Sequence, residues 1–209
     1  GAITHDAGRP LAAARRAARA EAAAHRESGM AALHGVAADS AEVLARDRRA
    51  DGGSLFVANI NAPGQIVIAG GTEDIDWLVD NARALGVRRA VALKVAGGFH
   101  SPFMQSAADR LELALAETSF AEEHGTVFAN ATGVVTHDPR ATLSAQLTAP
   151  VRFAETLANM SSAGVDTFVH IGPGDVTSGL AKRSVQGATV HTVSSLVEAR
   201  TVAEELSVV

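Results

Sequence analysis

The chain has 209 residues, enough for one large domain or two small ones, and with 47% hydrophobic and 20% charged residues it can bury a core and stay soluble. Aromatics make up only 4%, so that core is built mostly from Ala, Val, Leu and Ile. A net charge of −5 leaves no basic footprint for nucleic acid, and the lack of cysteine excludes disulfides and thiolate-held zinc.

No apolar run approaches the roughly 20 residues of a membrane span, and no signal-peptide pattern opens the chain. The expected setting is cytoplasmic, with no nucleic-acid or membrane partner. The first methionine is Met30, so the chain is expected to be a piece of something longer.

In chain order, Pro10 to Glu27 reads as a helix rich in Ala and Arg, with Pro10 at its start. Arg15, Arg19 and Arg26 fall on one face of it, which by itself reads as a solvated face. Met30 to Val36 reads as a strand, and Ser40 as the cap of a helix running through Arg49. "SLFVANINA" and "GQIVIAGG" read as two strands joined by the turn signal "APG". Thr72 is expected to cap a helix with Glu73 and Asp74 in its first turn, apolar positions Ile75, Leu78, Val79, Ala82 and Leu85, and Gly86 as its stop. "RRAVALKVAG" is a fourth strand. The order βαββαβ is that of a ferredoxin-like unit.

Beyond His100 the rhythm changes. Ser101 and Pro102 open a helix whose apolar face is Met104, Ala107, Ala108, Leu111 and Leu115. "GTVFANA" reads as a strand, Pro139 to Leu147 and Val151 to Ser162 as helices. "DTFVHIG" and "ATVHTVS" read as strands flanking the helix "DVTSGLAKRSV". Alternating strands and helices argue a parallel α/β layer. The expected organisation is a small α+β unit over residues 29–95, set between a helical segment, 1–28, and the remainder of a larger α/β body, 96–209.

Eight histidines offer candidate bases. His100 stands out because it follows a strand and precedes a helix start, where active sites of α/β sheets lie, and Gly97 and Gly98 let the backbone bend beside it. His170, just before "IGPG", is the rival, but it sits inside its strand. "GPGDVTSGL" lacks the Gly-Lys-Ser/Thr ending of a phosphate loop, and no histidine pair stands at metal-ligand spacing. No G-x-S-x-G occurs, and Ser101, adjacent to His100, is expected to point away from it. Spacing alone therefore yields a base without a nucleophile.

"VANINAPGQIVIAGG", "GGFHSPFM", "VFANATG", "SAQLTAPVRFAETL" and "GVDTFVHIGPGDVTSGLAKR" occur in an order that resembles malonyl-CoA:acyl carrier protein transacylases and the acyltransferase domains of polyketide synthases. The resemblance runs from about Ala12 to Ser194. It implies an α/β-hydrolase-like body with an inserted ferredoxin-like subdomain, and ping-pong transfer of a malonyl group from coenzyme A to the phosphopantetheine thiol of acyl carrier protein. It brings no metal and no bound cofactor. His100 in "GFHSP" matches the family's catalytic histidine, and Gln146 in "AQLTAPV" the residue whose main-chain carbonyl accepts from that imidazole. Arg19 best matches the arginine that pairs with the malonyl carboxylate, with Arg15 or Arg16 as alternatives. Phe99 matches the malonyl-preferring pattern before the histidine.

The family's G-H-S-x-G nucleophile elbow is expected upstream of the arginine-bearing helix, outside this chain. The resemblance therefore implies a chain inactive alone, with an open sheet edge covered by an upstream segment or by self-association. Three further readings stand beside it: an editing acyl hydrolase of the same fold, the transacylase subunit of malonate decarboxylase, and a non-catalytic module that docks a carrier protein.

Overall fold

The computed structural model describes residues 12–20, 27–120 and 125–207. The expected first helix is present as α1 (residues 12–20), and the rest of that expectation lies outside the described residues.

A four-stranded sheet follows, formed by β1 (Ser28–His34), β2 (Leu55–Ala62), β3 (Gln65–Gly71) and β4 (Arg89–Ala92). Its order is β2-β3-β1-β4, and every neighbouring pair is antiparallel. The β2–β3 turn is Pro63-Gly64, with Gly64 at φ 72°, a conformation that glycine adopts without steric cost. Helices α2 (Ala38–Ala50) and α3 (Thr72–Asn81) cover one face. Because side chains alternate along a strand, Leu33, Ile66 and Ile68 meet those helices, while Met30, Val67 and Ala69 face the other way and pack with Ala58 and Phe99. Fully burying each Leu or Ile is worth about 1.5–3 kcal/mol. The far face of the sheet thus seats Phe99, the residue before His100.

Two expected caps are corrected. Ala37 caps α2 and Gly71 caps α3, neither with a side-chain bond; Ser40 and Thr72 lie inside the first turns, exposed. Asp74, expected only as a charge near the helix start, is instead buried. It accepts from the Ser54 amide (2.7 Å), the Ser54 hydroxyl (2.8 Å) and Arg48 Nε (2.7 Å), tying α2 and α3 to the start of β2. The fourth strand is shorter than expected, because past Ala92 the backbone ladder to β1 continues only at the Leu93 amide, bonded to Met30 O at 2.8 Å.

After the turn at His100 comes a 3-10 turn, Pro102–Met104, and then α4 (Gln105–Ala116). All five apolar positions expected of this segment are buried, Met104 in the 3-10 turn and Ala107, Ala108, Leu111 and Leu115 in α4. The expected strand at 125–131 is not a strand. Its amides fold back locally, Ala129 N–H to Val134 O (2.9 Å) and Thr136 N–H to Val127 O (2.9 Å), leaving one isolated bridge between Phe128 and Val135. The run has strand chemistry, but among the described residues no neighbouring strand aligns with it.

Helices α5 (Pro139–Ala145) and α6 (Phe153–Ser162) lead to a parallel pair, β5 (Thr167–Ile171) and β6 (Thr189–Val193), joined through α7 (Val176–Ser184) and followed by α8 (Leu196–Ser207). The four-stranded sheet is tied to the C-terminal part of the chain at Val151, just before α6, and at Arg183 of α7. Ile60 N–H donates to Val151 O and Val151 N–H to Ala58 O, both at 2.8 Å, and Arg183 donates to the Gln65 side chain at 2.8 Å. Among the described residues no helix is long and apolar enough to cross a membrane.

Candidate active site

The site is built where the chain leaves β4. Gly97 and Gly98 are buried against the sheet, Phe99 lies on its far face, and His100 adopts φ 58°. It is the one non-glycine with positive φ among the described residues. A left-handed conformation costs an L-residue about 1–2 kcal/mol, so it persists only where surrounding bonds over-determine it.

One such bond is to α5. Gln146 follows the last residue of that helix, so its carbonyl has no helical partner. His100 Nδ1–H donates to it at 2.9 Å. A carbonyl only accepts, so the proton sits on Nδ1 and Nε2 keeps its lone pair. The Gln146 side chain stays beside the ring, its Nε2 3.4 Å from His100 Nδ1 and donating to Ala149 O at 3.4 Å. Burial pushes the His100 imidazole below the ordinary histidine value; the Gln146 carbonyl opposes this, while the positive charges of Arg19 and Arg15 add to it. The ring is neutral at neutral pH, the state a general base requires.

Helix α1 supplies the cations. Arg15 and Arg19 stand four residues apart on one face, and Arg16 is exposed. Arg19, the expected carboxylate anchor, lies over the Phe99 ring, its guanidinium carbon 4.1 Å from the centroid. Burial, and then the neighbouring Arg15, lower its affinity for its proton. Arg15 lines a cavity of about 430 Å³ together with Ala129, Asn130, Thr136, Thr142, Leu143 and Gln146, and its Nε is buried with no hydrogen-bond partner. A buried donor without a partner is costly, which suits Arg15 better than Arg19 to meet an anion in this cavity. The signal that could have found Arg15 was present in the four-residue spacing, which gives both arginines one face without saying which reaches the cavity.

The rest of the constellation sorts itself around this point. Ser101 is fully buried and donates away from the imidazole, to Gly98 O at 2.5 Å, as its adjacency to His100 implied. His170 is remote in kind: it lies in β5, its Nδ1 paired with the Thr177 hydroxyl and its Nε2 buried without a partner beside Phe153, Leu157 and Phe168. Among the described residues no group of three His, Asp or Glu side chains could hold a metal ion. The structure brings His100, Gln146, Phe99, Arg19 and Arg15 into one neighbourhood: a neutral base held at Nδ1, next to two guanidinium groups and a cavity.

The acyl transferase domain family model matches residues 1–202. The malonyl CoA-acyl carrier protein transacylase of Bacillus subtilis is 36% identical over 160 residues, covering 75% of this chain and 50% of that protein. The Mycobacterium bovis protein of the same name is 37% identical over 198 residues, covering 93% and 63%. A malonyl-transacylase solved in complex with its type II PKS acyl-carrier protein superposes with a TM-score of 0.91 at 30% identity, covering 98% of this chain and 67% of that one. The chain thus spans between half and two thirds of the length of these curated relatives.

Proposed function

Because the chain belongs to the acyl transferase domain family, we propose that it carries the base, the carboxylate anchor and the specificity wall of an enzyme that moves a malonyl group from coenzyme A to the phosphopantetheine thiol of acyl carrier protein. The observation that carries this reading is the His100 Nδ1–H bond to the Gln146 main-chain carbonyl, which leaves Nε2 free to take a proton. No G-x-S-x-G occurs in the 209 residues, so the attacking hydroxyl comes from outside them, and these residues alone do not turn over malonyl-CoA.

In the first half-reaction Nε2 of His100 takes the serine proton as the serine oxygen attacks the thioester carbonyl. The carbon–sulfur bond breaks, and the coenzyme A thiolate leaves with the proton returned by the imidazolium. In the second half the phosphopantetheine thiol gives its proton to Nε2 and attacks the acyl-serine, and the serine oxygen recovers the proton on leaving. The Gln146 carbonyl holds the ring in one tautomer and orientation throughout, the part a carboxylate plays in an ordinary triad.

Arg15 meets the free malonyl carboxylate, with Arg19 adding positive potential from one turn away. The unpaired Nε of Arg15 supports this assignment. Phe99, held between the sheet and the Arg19 guanidinium, fills the space a branched acyl group would need. The unit over residues 29–95 is a ferredoxin-like subdomain, supported by its strand order, and the flanking residues belong to an α/β-hydrolase-like body, supported by the parallel β5–β6 pair. Malonyl-CoA and acyl carrier protein are the partners, as the names of the relatives suggest, and no bound cofactor takes part.

The test is malonyl transfer by the complete protein that contains these residues, with malonyl-CoA and acetyl-CoA compared. Loss of transfer in His100→Ala, and loss of the preference for malonyl in Arg15→Ala, are expected. Transfer that survives His100→Ala would overturn the reading.

A further inference from the structure

The positive φ of His100 has to be held by something, and Gln146 alone does not hold it. A bond at Nδ1 orients the ring, but the backbone turn that delivers the ring is set earlier, at Gly98. Two hydroxyls close on that residue from opposite sides. The Gly98 amide donates to Ser28 Oγ at 2.9 Å, across 70 residues of chain. The Gly98 carbonyl accepts from Ser101 Oγ at 2.5 Å, and the same Ser101 oxygen accepts from the Phe103 amide at 3.3 Å. Ser101 is fully buried although its neighbours in sequence on either side are not. A buried hydroxyl is retained at no loss only when its bonds are made, and here both its donor and its acceptor capacity are used within one turn.

We propose that Ser101 and Ser28 are positioning residues that clamp both backbone polar groups of Gly98, one on each of the two peptide units that flank its Cα, and thereby hold His100 in its left-handed conformation, aimed at Gln146. Neither touches substrate. Ser28 opens β1, where it is paired with Gly71 of β3. Gln146 lies five residues before Val151, which is bonded to Ala58 and Ile60 of β2. The imidazole is therefore hung between two anchors rooted in the same antiparallel sheet, which explains how a base and its acceptor 46 residues apart keep register. Ser101→Ala removes the donor to Gly98 O and leaves that carbonyl unpaired in a buried turn, so the Gly98–Phe99 peptide unit rotates and the ring leaves Gln146.

This inference rests on the proposed role of His100 only for its kinetic consequence, because the imidazole can be read directly. The experiment is a histidine side-chain nitrogen NMR titration of the 209-residue chain, with Arg15 and Arg19 the charged groups facing the ring, alongside thermal unfolding. Wild type should show His100 as a single Nδ1–H tautomer that titrates below the ordinary histidine value. Ser101→Ala should mix the tautomers and shift the titration upward toward that value, Ser28→Ala should do so to a smaller extent, and Ser101→Thr, which keeps the hydroxyl, should restore the wild-type signature. If Ser101→Ala does not fold, Ser28→Ala and Ser101→Thr still carry the test. An unchanged tautomer in either alanine variant, or Ser101→Thr behaving like Ser101→Ala at unchanged melting temperature, overturns the clamp. A wild-type imidazole signature in a complete protein that transfers no malonyl would sink the functional reading and leave the clamp intact.

Discussion

In the four-stranded sheet β3 has a strand on each side and side chains covered on both faces: Ile66 and Ile68 under α2 and α3, Val67 and Ala69 under Phe99. The β5–β6 pair is covered on one face and only in part on the other, where α8 reaches β6 through Glu205 and His191 (3.5 Å) but leaves β5 open. Phe168 and Val190 pack on Leu157 and Ala181, whereas Val169 and Ile171, which alternate to the other face, are exposed, Ile171 to 79%. Leu196 of α8 is 82% exposed and Val176, at the start of α7, 72%. The first sheet is stabilised by what it contains, while the second leaves the β5 side of one face, Val169 and Ile171, to whatever packs there. The candidate site hangs from the first: His100 through Ser28 and Phe99, Gln146 through Val151.

The largest effect expected from this contrast is on chemistry. In the complete protein His100→Ala should lower malonyl transfer by about 10²–10⁴-fold, the range for losing a general base. His170→Ala, on the half-covered sheet, should leave it nearly unchanged; an equal loss at both histidines would break the comparison. The low proton affinity of His100 also sets a pH trend. The free base should persist as pH falls below the ordinary histidine value of about 6.5, so transfer should decline only as pH passes through the lower value of the folded protein.

Next in size is the core. Leu33→Ala and Leu78→Ala should each cost about 2–5 kcal/mol, whereas Ile171→Ala should stay within about 0.5 kcal/mol. Denaturant unfolding followed by Trp77, the single tryptophan, which packs against the four-stranded core, measures all three.

Asp74→Asn sharpens the same contrast. It should cost about 1.5–3 kcal/mol, the range for hydrogen bonds to a charged group. Burial pushes the Asp74 carboxyl up, but the Ser54 hydroxyl, Arg48 and the Ser54 amide together hold it below the ordinary aspartate value. A carboxyl depressed on folding stabilises above its unfolded value, about 3.9, and that contribution is lost as pH falls through the lower folded value. Acid titration of stability should show this loss in wild type and not in Asp74→Asn.

The smallest effect on stability, and the most direct view of the exposed apolar surface, comes from Ile171→Ser with Leu196→Ser. Sedimentation of the 209-residue chain should show concentration-dependent association that this double variant weakens. A strictly monomeric wild type would count against an exposed apolar surface at Val169, Ile171 and Leu196.

Much of this was legible in the residues themselves. The apolar period of Ile75, Leu78 and Ala82, the four buried positions of α4 and the turn at Pro63-Gly64 follow from local geometry, and so did the address of His100 at a seam between strand and helix. The caps misled because Ser40 and Thr72 have the right chemistry, yet the helices begin two residues earlier at Ala38 and one residue after Gly71, where the sheet turns the chain. The run 125–131 misled because strand propensity needs a neighbouring strand to pair with, and pairing is not a local property.

By itself the sequence determined most of the helices and strands, the faces they bury, and the address of His100, all matters of period and residue chemistry over a few turns of chain. Gln146, Phe99 and Arg19 entered as site residues only through the resemblance of ordered motifs to a known family. Only the tertiary structure decided that Arg15, which lines the cavity, has a buried Nε without a partner, that Asp74 is a buried knot, and that the backbone of Gly98 is gripped at both its N–H and its C=O. Each of those depends on atoms distant in sequence meeting within 3 or 4 Å, and no pattern along one chain carries the rotation of one element against another.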